Sequence, residues 1–367
     1  MHYSPSRCRF ILASSTCSTK PLSQTVSIIF RKIFKQIESF HHRSYFYRNY
    51  NRFWVVENSK PVLERMIKLN QGKKAKSIST FDFSTLYTKL PHDNLVEVLN
   101  GLVDFVFDGG LKTVGGNRKY LAVDGNKCYF ANTTKVPQSY TKAQIHMMVE
   151  HLITQSFFSF GNLVFKQCIG IPMGIDPAPF WANLYLYHFE SEFIIKLSRI
   201  DRYRGFKFKH CFRFIDDACS INDSDEFDKS YQEIYPPELQ LKCEHKGSHA
   251  TFLELDVSII DGTFVYKLYD KRDAFPFFIV RMPDLSGNLP EKIFYSAVGS
   301  EMLRIARATL RYEHFKEKTI SLKTRMLKQG ACLTRICRCL NKVVSRHPEA
   351  FSSFDASLSD FKRDIFC

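Results

Sequence analysis

An α+β fold built on a central sheet is predicted by three observations. Short β-prone runs alternate with segments of helical apolar spacing, in the order strand, helix, long insertion, helix, hairpin, helix, strand. Two of the β-prone runs, residues 78–84 and 211–221, carry aspartates between apolar neighbours. Clusters of Gly and Pro punctuate the segments. Helices packed on one face of the sheet complete this reading.

The elements follow in order. Residues 23–37 alternate apolar and basic positions with a helical period. Residues 78–84 read as a strand. Pro91-His92-Asp93 then breaks the chain, with Asp93 placed as an N-cap. Leu95, Val98, Leu99, Leu102, Val103 and Val106 recur at helical spacing. Residues 108–136 read as an irregular hairpin region turning at Gly115-Gly116, and residues 145–158 as a helix. Ile169-Gly170-Ile171-Pro172-Met173-Gly174 and Asp176-Pro177-Ala178-Pro179 form a turn that opens a helix over 180–197. Prolines suit that first turn because its N–H groups have no helical partner. A basic loop at 199–210 leads to the aspartate hairpin. A helix over 225–235 stops at Pro236-Pro237, strands follow at 252–260 and 263–269, and the chain is helical and basic from about residue 291.

The 367 residues suffice for two or three subdomains around more than one core. A hydrophobic content of 44% and an aromatic content of 14% exclude a disordered chain. The net charge of +15 points to a polyanionic partner, most simply nucleic acid. Eleven cysteines occur without a paired C-x-x-C, and the nearest group, Cys332, Cys337 and Cys339, lacks zinc-site spacing. Free thiols in a reducing compartment are expected. No stretch approaches the roughly 18 apolar residues that span a bilayer. Phe10-Ile11-Leu12-Ala13 is too short for a signal-peptide core. The expectation is an intracellular, soluble protein with no membrane partner, nuclear or cytoplasmic alike, its oligomeric state open.

Asp216 and Asp217 sit side by side in Cys211-Phe212-Arg213-Phe214-Ile215-Asp216-Asp217-Ala218-Cys219. Adjacent carboxylates between apolar flanks repel each other and lose hydration. A divalent metal relieves both costs. Asp82 lies alone in a second apolar run, so the chain offers one carboxylate on a strand and two on a hairpin. Two-metal phosphoryl transfer needs such a set. An Asp-rich surface turn is the other reading, against which Phe212, Phe214 and Ile215 argue. His146 and His151 are five apart and share no helix face, which excludes a metalloprotease box. No Walker loop, nucleophile elbow or dinucleotide fingerprint occurs.

Asp82-Phe83-Ser84-Thr85-Leu86-Tyr87-Thr88-Lys89-Leu90-Pro91 resembles the first catalytic motif of reverse transcriptases, in the form found in Penelope-like retroelements. Ile169–Gly174 with Ala178-Pro179 and Ala182-Asn183-Leu184 resembles the second motif. Phe214-Ile215-Asp216-Asp217 is similar to the Tyr-x-Asp-Asp box, with Phe for Tyr. Phe252-Leu253-Glu254-Leu255-Asp256-Val257 resembles the primer grip, and Cys8-Arg9-Phe10-Ile11 with Ala13-Ser14-Ser15 the end of a fingers motif. The resemblance runs from about Arg7 to about Arg311.

The resemblance implies a right-hand polymerase with a central antiparallel palm sheet. Partial fingers would span 1–77, the palm 78–270 with a fingers-like insertion at about 108–165, and the primer-grip-adjacent region and helical basic thumb 271–367. It implies RNA-directed DNA synthesis from an RNA template, a DNA primer and deoxynucleoside triphosphates, with two Mg2+ ions or Mn2+ in their place. Asp82, Asp216 and Asp217 would be the catalytic metal ligands, assisted by the Phe83 main chain. Tyr87 would exclude a ribose 2′-hydroxyl, although a core tyrosine is the alternative. Gly170, Pro172, Met173 and Gly174 would lie under the nascent base pair, and Arg9, or less favourably Arg7, would reach the triphosphate. Lys242 or Lys246 would protonate pyrophosphate. Lys316, Lys318, Lys323, Arg325, Lys328, Arg335, Arg338, Lys342 and Arg346 would follow the template–primer backbone.

Three departures accompany these matches. The chain starts inside the fingers, no Gly-Ile-Tyr endonuclease follows, and Asp176 is an unexpected acid beside the second motif. They leave open an inactive nucleic-acid-binding remnant of the same fold. A telomerase-type or RNA-templated RNA polymerase is a third reading, and Tyr87 speaks against its use of ribonucleotides.

Overall fold

The computed structural model describes residues 17–48, 50–108, 119–132, 138–172, 174–277, 279, 282–283 and 285–367. Arg7, Arg9, Met173 and the Gly115-Gly116 turn lie outside them. The chain order is α1 (Lys20–Arg48), α2 (Lys60–Asn70), β1 (Ile78–Phe83), α3 (Leu86–Lys89), α4 (His92–Phe107), β2 (Tyr120–Asp124), β3 (Lys127–Ala131) and β4 (Ser139–Tyr140). Next come α5 (Lys142–Thr154), β5 (Phe157–Phe160), β6 (Leu163–Lys166), α6 (Ala178–Ile200), α7 (Arg202–Lys207), β7 (Cys211–Phe214), β8 (Asp217–Ile221) and α8 (Glu226–Ile234). The order closes with β9 (Leu241–Gly247), β10 (His249–Phe252), β11 (Leu255–Ile260), β12 (Thr263–Leu268), α9 (Glu291–Arg307), α10 (Tyr312–Lys328), α11 (Leu333–Arg346) and α12 (Leu358–Phe366).

Two compact units form, one from residues 1–57 and 81–244, the other from 58–80 and 245–367. The division falls within β1 and β9. A mixed helix and sheet architecture is thus observed, as the alternating pattern predicts.

A four-stranded sheet has the order β7-β8-β1-β9, and the first unit carries β7, β8, residues 81–83 of β1 and residues 241–244 of β9. Its core packs α1 and α6 against each other through Phe30 and Trp181, whose rings meet edge to face at 5.9 Å. Trp54 stacks on Phe208 at 5.9 Å and lies near Phe227. Val55 bridges Arg213 at the edge of β7, closing the sheet on that side. Two small sheets, β3-β2-β4 and β5-β6, stand apart from it.

The second unit holds the antiparallel sheet β10-β11-β12 and the four C-terminal helices. Asn70 of α2 clips to β12, donating to the Phe264 carbonyl at 2.9 Å and accepting its N–H at 2.7 Å. Phe315, Phe351, Phe354 and Phe361 form one aromatic cluster among the helices.

Three sequence expectations change, and one pair of strands was not foreseen. Asp93 is not the cap of α4: Pro91 holds that position with φ −62°, and Asp93 lies in the first turn, where a carboxylate still favours the helix N-terminus. The helix expected over 145–158 stops at Thr154, because Phe157–Phe160 pairs with Leu163–Lys166 around Gly161. Aromatic and β-branched residues, with Phe158 stacked on Phe165 at 5.5 Å, favour that pairing. The strand expected over 252–260 is two strands, with Phe252 opposite Leu255 and Leu253 at φ +54°. Glu254 holds this turn, accepting from Ser59 and from Arg304 at 2.9 Å each. Residues 241–252 form strands that their polar composition concealed.

Candidate active site

The aspartate hairpin is an antiparallel pair in which Phe214 faces Asp217. Ile215 and Asp216 are therefore the whole turn. Ile215 has φ +53°, a left-handed conformation that a β-branched residue rarely adopts. Such a residue costs on the order of 1–3 kcal/mol and persists only where its surroundings hold it. Arg213 provides that hold, its Nη1 donating to the Ile215 carbonyl at 2.9 Å.

β1 lies directly beside β8. The Phe83 N–H donates to the Asp216 carbonyl at 3.0 Å, joining the first aspartate run to the second. Phe81 and Phe83 are buried against Phe227 and Tyr235, at 4.7 and 4.8 Å between ring centroids. Alternation along a strand puts Asp82 on the opposite face. Asp82, Asp216 and Asp217 are all half-buried. The structure thus brings the three predicted carboxylate residues to adjoining positions, although 134 residues separate Asp82 from Asp216 in the chain.

Carboxylate oxygens suit Mg2+, which keeps waters and substrate phosphates in its shell. Among the described residues no group of three or more His, Cys, Asp or Glu side chains is set to hold a metal ion. A divalent ion at Asp82 and Asp216 would take its other ligands from backbone, water or a phosphate-bearing substrate. It is the oxygen chemistry of these side chains, and not a closed set of protein ligands, that suits such an ion.

Tyr87 borders the same place. Burial, and then the charge of Asp216, push its hydroxyl up to about 12, with Arg213 opposing. The Gly170 turn lies on the backbone of this segment: Ile171 N–H donates to the Tyr87 carbonyl at 2.9 Å and Gly170 N–H to the Leu90 carbonyl at 2.8 Å. His92 Nε2 sits 2.9 Å from the Gly170 carbonyl oxygen. Pro172 is buried and Gly174 has φ +107°.

Asp176 anchors the turn to α1. Its carboxylate accepts from Lys20 at 2.9 Å and from Ser23 at 2.7 Å, and its carbonyl from Ser27 at 3.2 Å. The unexpected acid is a structural tie.

Lys242 and Lys246 are exposed along β9, two turns of the pleat apart.

Sequence reasoning missed the support beneath the hairpin. Arg213 and Glu190 are fully buried. Arg213 Nε and Nη2 donate to the two Glu190 oxygens at 2.5 and 3.2 Å, and Nη1 and Nη2 to the Asn183 side chain and carbonyl at 2.9 and 3.0 Å. The Tyr235 hydroxyl donates to Glu190 at 2.9 Å. Part of the signal was present: an arginine in an apolar strand needs a carboxylate when buried, and α6 offers Glu190 and Glu192, of which Glu190 is the buried one.

The second unit carries a basic cleft of about 650 Å³ between α9 and α11, lined by Lys292, Arg335, Arg338, Lys342 and Arg346. The α11 cations recur every three or four residues, on one helix face.

No protein-family model matches this chain, and no curated protein matches it. Among solved structures it is similar to the telomerase of Candida albicans, solved in complex with a fragment of telomeric RNA, at TM-score 0.51 and 14% identity over 95% of this chain. The chain spans 50% of that telomerase chain. Fainter likenesses extend to the telomerase of Candida tropicalis (TM-score 0.45, 15% identity, 96% of this chain and 53% of that one) and to the BmCPV RNA-dependent RNA polymerase (0.41, 14%, 78% and 23%). The fold of this chain is thus similar to that of the Candida albicans telomerase chain.

Proposed function

We propose that the chain is an RNA-directed DNA polymerase of a Penelope-like retroelement, with a right-hand arrangement of partial fingers, palm and helical thumb. It extends a DNA primer 3′-hydroxyl on an RNA template with deoxynucleoside triphosphates. The observation that carries this reading is the Phe83–Asp216 hydrogen bond, which sets the Asp82 strand against the Asp216-Asp217 hairpin.

Asp82 and Asp216 would hold two Mg2+ ions, or Mn2+, with Asp217 beside them. When bound, these ions lower the pKa of the attacking hydroxyl and neutralise the triphosphate. The Tyr87 ring would close off the space a ribose 2′-hydroxyl needs. Gly170, Pro172, Met173 and Gly174 would lie under the nascent base pair, held there by the packing of Gly170 on the Tyr87 backbone. Lys242 or Lys246 would donate the proton to pyrophosphate. The basic cleft of α9 and α11 supports a phosphate-backbone contact, which counterion release favours.

The test is extension of oligo(dT) on poly(rA) with Mg2+, beside an Asp216→Asn control. Incorporation by the parent chain and a loss of about a thousandfold in the control, equivalent to roughly 4 kcal/mol of transition-state stabilisation, support the reading. Template–primer binding with no incorporation by the parent chain would instead assign an inactive remnant of the same fold.

A further inference from the structure

We propose that Arg213 is a positioning residue, through which a buried Glu190–Tyr235 clamp sets the place of the Asp216 carboxylate. This inference rests on the polymerase reading and adds a residue to it.

The turn is two residues long and its first, Ile215, is held left-handed. A strained turn relaxes unless something fixes it. The guanidinium does so from below, with Nη1 shared between the Ile215 carbonyl and the Asn183 side chain at 2.9 Å each. Its other edge is occupied by Glu190, so the fork has one orientation. Asp216 follows Ile215 directly, and its own carbonyl is fixed by Phe83. The peptide units on both sides of the Asp216 Cα are thereby pinned, one by Arg213 and one by β1.

A buried ion pair is a poor source of stability, because desolvation offsets attraction. Its retention with every fork position used is better explained by geometry. Asn183 and Glu190 lie on α6, the helix that the Gly170–Pro177 turn opens. The clamp therefore ties the aspartate hairpin to the element carrying the second motif. Lysine cannot reproduce this, since its ammonium is a point charge without a planar fork.

The experiment uses the full chain with oligo(dT) on poly(rA), comparing the parent with Arg213→Lys. Turnover is measured across a Mg2+ titration, with KM for primer–template, Mn2+ substitution, and Mn2+ binding by electron paramagnetic resonance. The expected result for a folded variant is a 10- to 100-fold loss of kcat with primer–template KM within twofold. The half-saturating Mg2+ concentration should rise severalfold, Mn2+ binding should weaken in parallel, and Mn2+ should restore part of the turnover. A merely structural role would lower the active fraction without moving the metal dependence. Arg213→Lys with parental kcat and metal dependence overturns the proposal and leaves the polymerase reading intact. A parent chain that neither extends primers nor binds Mn2+ overturns that reading and this proposal together. Should Arg213→Lys not fold, Tyr235→Phe, which keeps the ring and removes the hydroxyl on Glu190, is read by the same metal titration. A severalfold rise in the half-saturating Mg2+ supports the clamp, and an unchanged curve overturns it.

Discussion

Gly170 lies against the main chain of Tyr87, close enough that a Cβ at Gly170 would fall far inside contact distance of the Tyr87 carbonyl oxygen. The same glycine has φ +86°, so both space and backbone exclude a side chain. Gly170→Ala is expected to destabilise the first unit by about 2–4 kcal/mol, through a left-handed alanine and displacement of the Tyr87–Thr88 backbone. Urea unfolding followed by tryptophan fluorescence checks this. A midpoint equal to that of the parent would mean the turn does not rest on Tyr87.

Asp176 joins the turn to α1 through paired contacts with Ser23, whose hydroxyl donates to the carboxylate while the Asp176 N–H donates back at 2.9 Å. Burial alone would raise this carboxyl, but Ser23 and Lys20 hold it below the ordinary carboxylate range. Asp176→Ala is expected to cost about 1–2 kcal/mol by leaving Ser23 without its acceptor. Asp176→Asn keeps an acceptor for Ser23 and loses only the Lys20 attraction, so its cost should be smaller. Stability equal to that of the parent in both variants would show that the tie is immaterial.

The two aspartate runs, the turn before α6 and the hairpin itself were legible because each is local: an apolar strand pattern, a Gly/Pro cluster, a pair of charges between Ile215 and Ala218. The break at Leu253-Glu254 was not legible, since neither residue is a turn former and the turn depends on Ser59 and Arg304, distant in sequence. The role of Asp176 was hidden for the same reason: its partners Lys20 and Ser23 lie some 150 residues away. Arg213 looked like a basic residue in a strand until Glu190, from α6, was seen across from it. Helix ends slipped by a few residues where an aromatic-rich run competed with helical spacing, as at Phe157.

Tyr87 sits where the charge of Asp216 reaches its hydroxyl. With a pKa near 12, the phenol stays neutral throughout any ordinary assay pH, so its influence on nucleotide choice is steric. Tyr87→Val should leave deoxynucleotide incorporation within about tenfold of the parent while raising relative ribonucleotide use by about 10- to 100-fold, equivalent to roughly 1.4–2.7 kcal/mol of lost discrimination. Incorporation assays with matched ribo- and deoxynucleotides decide it. Unchanged discrimination would return Tyr87 to the role of a core residue.

His41 gives the first unit a pH dependence of defined sign. Burial lowers its imidazole to about 3, helped by the charges of Arg52 and His42. Its Nε2 lies 2.6 Å from the Tyr187 hydroxyl, and burial raises that phenol, so a neutral ring faces a protonated partner. The unfolded chain takes up the His41 proton near pH 6.5, whereas the folded chain takes it up only near pH 3. Between those values the unfolded state holds the extra proton, and stability falls as the pH drops, by up to about 1.4 kcal/mol per pH unit. The full contribution is present above about pH 6.5. His41→Gln keeps an acceptor for Tyr187 and removes the titration. It should be less stable than the parent at pH 7.5, and the difference should shrink by about 1–2 kcal/mol on going to pH 5. Urea unfolding of both chains at pH 7.5, 6.5 and 5 measures this. Curves that stay parallel would show that His41 is protonated in the folded chain, and that the Tyr187 contact survives its charging.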